Sequence, residues 1–485
     1  MKILRVTYYA LVALVSVASC SKEATEPDIY DRTEENIYFK TSITDIASSR
    51  AEDMTLERLE SFQVTCFNTR DIQKDAAGFV TPYFENATFI RQANAMGVTY
   101  VSSPEEGTYS WPLKSGKISF FAFSPSLEVM STDNSAVTDA NRSECFNLVN
   151  ATVQTESSVN VDYRLSNVRI NPDISRQFDF ISAKASGERW KEFASGVELA
   201  FSHELCEVEL KAWGQNESYD FEIAGVRLGN PVVEGTFVFA DDTAPANVGR
   251  WATDYYAVKD KVEYLYRSTE TSGSEGNQGA GDKIIRINDT EHNTPESAVS
   301  LMGQGGCAMM IPTFNTKWEG LDDPYIGDTP YHTDRMYFSI LTRVTDRKTG
   351  KIIYPYPGNQ NKMTVISYAV DKDGNIARRL YAGKTVGTYF IDSELTSPYE
   401  APEEGKEEIM DFGWAAVPVD VDWRAGKKYV YTLNYSEGIG IHDPADPEPG
   451  KLIVGPKPIE WSVSVSDWVY AESDENYDPD LDVPN

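Results

Sequence analysis

The chain has 485 residues, 41% of them hydrophobic and 12% aromatic, which is ample for more than one packed core and too much for a disordered polymer. A formal charge of −31 argues against nucleic acid as a partner and against anionic lipid held by charge. Five cysteines in this length give no disulfide framework.

The N-terminus has the three parts of a secretory signal. Lys2 and Arg5 supply a short positive region, and residues 6–17 are apolar apart from Thr7 and Ser16. That run is shorter than the roughly 20 residues a membrane-spanning helix needs. Val17-Ala18-Ser19-Cys20 then places small side chains beside a cysteine, as lipoprotein processing requires. The expectation is a signal peptide over 1–19 and a lipidated Cys20, carrying diacylglycerol and palmitate. Loss of Lys2 and Arg5 takes the charge from −31 to −33. Residues 20–35 are polar and acidic and read as a tether between lipid and fold.

Alternation with a period of two begins at residue 37. Ile37, Phe39, Thr41 and Ile43 fall on one face and Tyr38, Lys40 and Ser42 on the other. Similar runs recur at 62–67, 117–123, 197–201, 208–213, 219–228, 232–239, 336–344, 363–370, 429–435 and 461–470. Turn chemistry separates many of them, as in Asp346-Arg347-Lys348-Thr349-Gly350. Helical patterning is confined to short hints at 55–59 and 190–193. Many short strands with frequent turns predict an all-β chain of β-sandwiches. The Gly- and Ser-rich stretch 268–281 reads as a loop, and a polar stretch at 189–195 as a boundary. The predicted division is 36–194 for an N-terminal domain, 195–470 for a C-terminal one, and 471–485 for an acidic tail.

No constellation for catalysis stands out, and no catalytic, cofactor-binding or metal-ligating residue is assigned. His203, His292, His332 and His442 lack an HExxH or paired spacing, and His203 sits in a strand run where a structural histidine is expected. No Gly-rich loop suits a phosphate, and no GxSxG motif precedes a helix. Asp371-Lys372-Asp373-Gly374-Asn375 copies the start of a calcium loop, but Tyr381 and Ala382 stand where the bidentate Glu belongs, so a hairpin turn is predicted. Cys66, Cys145, Cys206 and Cys307 match no zinc or redox spacing. Three pairings are open to them, while Cys66 and Cys206 lie in strand-like runs suited to buried thiols.

Several segments, taken in order, resemble the fimbrillin family of Bacteroidetes lipoprotein pilins, which includes the Mfa-like fimbrillins. They are the lipidation signal, the strand at 36–43, Ser49-Arg50-Ala51, the strand at 61–67, and Trp111-Pro112 followed by Ile118-Ser119-Phe120-Phe121-Ala122-Phe123-Ser124-Pro125. Phe201-Ser202-His203-Glu204-Leu205 resembles the strand that opens the family's second domain. Met309-Met310-Ile311-Pro312, the run 426–433 and Val463-Ser464-Val465-Ser466-Asp467-Trp468 complete the series.

The resemblance implies two transthyretin-like β-sandwich domains in a subunit (stalk, tip or anchor) of an adhesive fimbria at the outer-membrane surface. Its partners would be other fimbrial subunits, joined by strand complementation, an Arg-specific maturation protease, and outer-membrane lipid through Cys20. Arg50 and Ala51 match the family's cleavage position, where a cut detaches the first strand so that a C-terminal segment of the next subunit replaces it. Without the resemblance, Arg50 is a loop arginine. The physics is compatible: Ile37, Phe39 and Ile43 at about 1.5–3 kcal/mol each make roughly 5–9 kcal/mol of burial, with Thr41 a polar interruption. Strand removal would leave an apolar groove between unpaired edges. Trp461, Val463 and Val465 give a donor the same alternation, with Trp468 and Tyr470 on the opposite register. The same segment also reads as the last core strand of the C-terminal domain. An alternative is a surface lipoprotein that captures glycan on exposed aromatic side chains of a β-sandwich.

Overall fold

The computed structural model describes residues 36–43, 58–68, 73–74, 80–94, 97–112, 117–125, 163–192, 195–239, 249–252, 258–268, 281–303, 306–318, 325–326, 329–330, 334–355, 365–382, 389–391, 394–398, 407–446, 449–455 and 457–468. Strands of six or more residues are numbered in chain order. They are β1 (Tyr38–Ile43), β2 (Ser61–Asn68), β3 (Phe84–Asn94), β4 (Gly97–Ser102), β5 (Lys117–Ser124), β6 (Arg164–Arg169), β7 (Ile181–Glu188), β8 (Val197–His203) and β9 (Cys206–Trp213). There follow β10 (Tyr219–Gly229), β11 (Val232–Val238), β12 (Tyr337–Asp346), β13 (Val365–Asp371), β14 (Ile376–Ala382), β15 (Glu407–Pro418), β16 (Lys427–Asn434) and β17 (Glu460–Asp467). Among the described residues α-helix is confined to Arg189–Glu192. The chain is all-β.

Seven strands close into a barrel in the order β1–β8–β7–β5–β2–β3–β4, with β4 pairing back to β1. All neighbours are antiparallel except β1 and β8, which run parallel. The alternation explains the interior. Ile118, Phe120 and Ala122 of β5 point inward and meet Phe39, Phe62, Phe89 and Phe201 in one buried cluster. Phe121 and Phe123 point outward, yet they are buried too. A second sheet, built on β11 and β6, covers that wall: Phe121 lies 5.4 Å from Phe239 and 5.1 Å from Tyr163, ring to ring. Burial on both faces is why β5 reads as an almost unbroken apolar run.

The rest of the chain forms a sandwich. A wide sheet carries β10–β12–β15–β13–β14, and a narrower one carries β9–β16–β17. Their inner faces meet where Phe338 packs against Tyr431 at 4.9 Å and Phe221 against Tyr435 at 5.1 Å.

Packing does not follow the predicted division at 194/195. β8, expected to open the second domain, instead completes the barrel between β1 and β7. β6, from the predicted first domain, pairs with β11 of the second. The physical reason is that alternation such as Val197, Leu199 and Phe201 specifies a half-buried strand without specifying its neighbours.

Candidate functional site

The first strand is where the sequence placed its sharpest expectation. Ile37 is 1% exposed and Phe39 is fully buried. The Phe39 ring sits edge-on to Phe89 at 4.7 Å, Phe120 at 5.2 Å and Phe62 at 5.9 Å. Thr41 is half-buried, and the side chain of Ile43 lies outside the described residues. The two apolar side chains that are described contribute about 1.5–3 kcal/mol each by burial.

The backbone of β1 is held unequally on its two sides. Against β8 the register runs over five residues, from Phe39 beside Val197 to Ile43 beside Phe201. Against β4 it covers Tyr38 and Phe39 alone, supplemented by a hydrogen bond from the Ile37 N–H to the Tyr109 carbonyl at 2.8 Å. The turn entering β8 is shaped to receive the strand: Gly196 has φ +76°, and a Cβ there would stand 2.6 Å from the Tyr38 ring.

The C-terminal candidate, β17, belongs to the other unit, and the structure does not bring it against β1. It pairs antiparallel with β16 along its whole length, Glu460 beside Asn434 through Asp467 beside Lys427. It is an edge strand rather than a core one. Ser462 to Asp467 are all exposed, including Val463 at 42% and Val465 at 56%. Trp461 is half-buried and donates its indole N–H to the Pro418 carbonyl at 3.2 Å. Trp468, beyond the strand end, is buried, with its ring 4.3 Å from that of His203 at the end of β8. One strand of the barrel therefore touches both candidates.

Around that contact lies a buried polar cluster that the sequence did not announce. His203 Nδ1 is 2.7 Å from Asp179 Oδ2, with both side chains buried. Glu204 is fully buried; it accepts from Ser182 Oγ at 2.6 Å and from the Gly249 N–H at 3.3 Å. Burial pushes its carboxyl up to about 8, against the opposing pull of those two hydrogen bonds and of His203. Nearby, Lys428 Nζ lies 3.6 Å from Glu207 and 3.4 Å from Glu209. The signal available in the sequence was the pair His203-Glu204 interrupting an apolar strand run.

Other assignments fall as follows. Cys20, Arg50, Ala51, Cys145 and the tail from 469 onward lie outside the described residues. Cys66, Cys206 and Cys307 are buried thiols. Asp371 Oδ1 accepts the backbone N–H groups of Asp373 and Asn375, closing the hairpin between β13 and β14. A surface cleft of about 250 Å³ beside that turn is lined by Arg286, Asp371, Lys372 and Glu407, and by no aromatic side chain.

A family model described as fimbrillin-like matches residues 49–289. No curated protein matches the sequence. Solved structures with some similarity include a candidate cell adhesion protein from Bacteroides ovatus ATCC 8483, at 11% identity and TM-score 0.37, covering 91% of this chain and 100% of that one. Another candidate cell adhesion protein, from Bacteroides uniformis ATCC 8492, has 11% identity and TM-score 0.32 over 90% of this chain and 100% of that one. The fimbrial anchor protein Mfa2 from Porphyromonas gingivalis has 10% identity and TM-score 0.23, covering 66% of this chain and 81% of that one.

Proposed function

Residues 49–289 of the chain belong to the fimbrillin-like family, a family of structural proteins rather than enzymes, and from that premise we propose that the protein is a subunit of a cell-surface fimbria that assembles by replacing its own first strand. In this reading, lipid on Cys20 holds the newly exported chain at the outer membrane. Cleavage between Arg50 and Ala51 by an Arg-specific protease then frees β1. The vacancy lies between the edges of β4 and β8 and over Phe62, Phe89 and Phe120. A strand from a neighbouring subunit fills it, and Trp461, Val463 and Val465 of β17 offer the required alternation.

The observation that carries the proposal is the position of β1. It supplies Ile37 and Phe39 to the barrel core but is registered with β4 through two residues, so it is integral to stability and still separable. The test is limited digestion of the full chain with an Arg-specific protease. The expected result is a product starting at Ala51 that forms ladders resistant to mild denaturant. A product that starts at Ala51 but stays monomeric, and unfolds at the same urea concentration as the uncut chain, would overturn the proposal.

A further inference from the structure

β17 ends its sheet with one side unpaired: among the described strands, none lies beyond it. Exposed edges of this length are ordinarily blunted by lysine, proline or a bulge. β17 has none of these, and its only charged residues, Glu460 and Asp467, stand at its two ends. Its sequence is Glu460-Trp461-Ser462-Val463-Ser464-Val465-Ser466-Asp467, and its register with β16 runs without a shift. Leu433, Tyr431 and Tyr429 of β16 are buried facing the sandwich interior, so their registered partners Trp461, Val463 and Val465 share that inner face. Among the described residues nothing covers the two valines, which remain 42% and 56% exposed. The strand thus presents an open hydrogen-bonding edge and an apolar row together.

We propose that this edge pairs with the same edge of a second copy, antiparallel and centred on Val463. An isologous contact keeps inner face with inner face only if paired residues have the same parity. Centring on Val463 satisfies that condition. Val463 then meets Val463 of the second copy, Trp461 meets Val465, and Ser462 meets Ser464 on the outer face. Aromatic on β-branched and hydroxyl on hydroxyl are the favourable cross-strand pairs. Centring on Ser464 would instead set each Trp461 against an Asp467.

Each end of β17 carries a cation beside its carboxylate, which offsets locally the acidity of the chain as a whole. Within each copy Asp467 is paired with Lys427, and Glu460 lies 3.6 Å from Lys457. Antiparallel docking sets Asp467 of one strand opposite Ile459 of the other, near Lys457, which its own copy also holds to Glu437 at 2.7 Å. Such an edge, eight residues long at about 3.4 Å per residue, buries less than the roughly 1,200 Å² of a durable complex. The contact is weak and concentration-dependent, suited to copies crowded on one surface.

The proposal is independent of strand replacement, because it uses β17 in its home sheet. It is tested on the full chain in detergent with Arg50 uncut, which keeps the exchange route closed. Across an antiparallel pair, Cα atoms lie about 4.5–5.5 Å apart, within disulfide reach. Val463→Cys should therefore give a covalent dimer under mild oxidation, with wild type as the blank for native cysteines. Ser464→Cys alone should cross-link severalfold less, whereas an equal mixture of Ser462→Cys and Ser464→Cys chains should give the mixed dimer. Val463→Lys should abolish concentration-dependent association while the monomer keeps its far-UV circular dichroism spectrum. Equal cross-linking by Val463→Cys and Ser464→Cys, or no cross-link at any concentration, overturns the pairing while leaving protease-triggered assembly untouched.

Discussion

Phe39 has three aromatic rings against it and no exposed surface, so truncation leaves a cavity that its neighbours cannot easily close. Phe39→Ala is expected to destabilise the barrel by about 3–5 kcal/mol, read from the urea midpoint at unchanged slope. Glu204 makes a prediction of a different sort. Its carboxyl titrates near 8 when folded, against 4.5 ordinarily, so folding favours the neutral form. The stability this contributes is complete below pH 4.5 and disappears as pH rises through 8. Glu204→Gln should match wild type at the acid end of that window and melt higher at the alkaline end. A variant whose melting temperature falls as steeply as wild type would show that the carboxyl is ionised throughout. These two residues mark the range of what the sequence discloses. Phe39 was readable because burial on one strand face leaves a period of two. Glu204 was not, because its hydrogen bonds come from Ser182 on the neighbouring barrel strand β7 and from Gly249 beside the next sheet, and the local pattern names neither neighbour.

At the scale of elements, β17 shows how far periodicity reaches. Its alternation of serine with tryptophan and valine is that of a half-buried strand, and the prediction of a strand over 461–470 was sound for residues 461–467. Whether a second sheet lies over its apolar face depends on the width of the partner sheet, which no local pattern encodes. Hydrogen exchange offers a direct check. β16, flanked by β9 and β17, should protect its amides well beyond β17, which is held on one side and exposed along most of its length. Equal protection of the two strands would mean that the outer edge is covered in solution. β8 carries a related lesson. Its alternation was read at 197–201, and the strand pairs inside the barrel with β1 and β7, since a strand at the end of one unit and the start of another has the same pattern in both.

For the molecule as a whole, the shared wall between barrel and sandwich matters more than either core. Phe67, Phe121 and Phe123 leave the barrel and join a buried cluster that continues to Phe338 and Trp414 of the wide sheet. Units joined by so much apolar surface should not melt separately. Calorimetry is expected to show one transition whose calorimetric and van't Hoff enthalpies agree. Two resolved peaks would require the wall to be weaker than its burial implies. The run 117–123 was read as a period-two strand; that Phe121 and Phe123 are also buried, under the sheet built on β11 and β6, lay beyond it.

The parallel run of β1 beside β8 restricts anything that takes its place. An incoming segment that keeps both ladders as they stand runs along β8 and against β4. A thread assembled by the proposed replacement would repeat a head-to-tail step instead of a mirror-like one. Its two tips would be chemically different, and elongation at one would not be equivalent to elongation at the other.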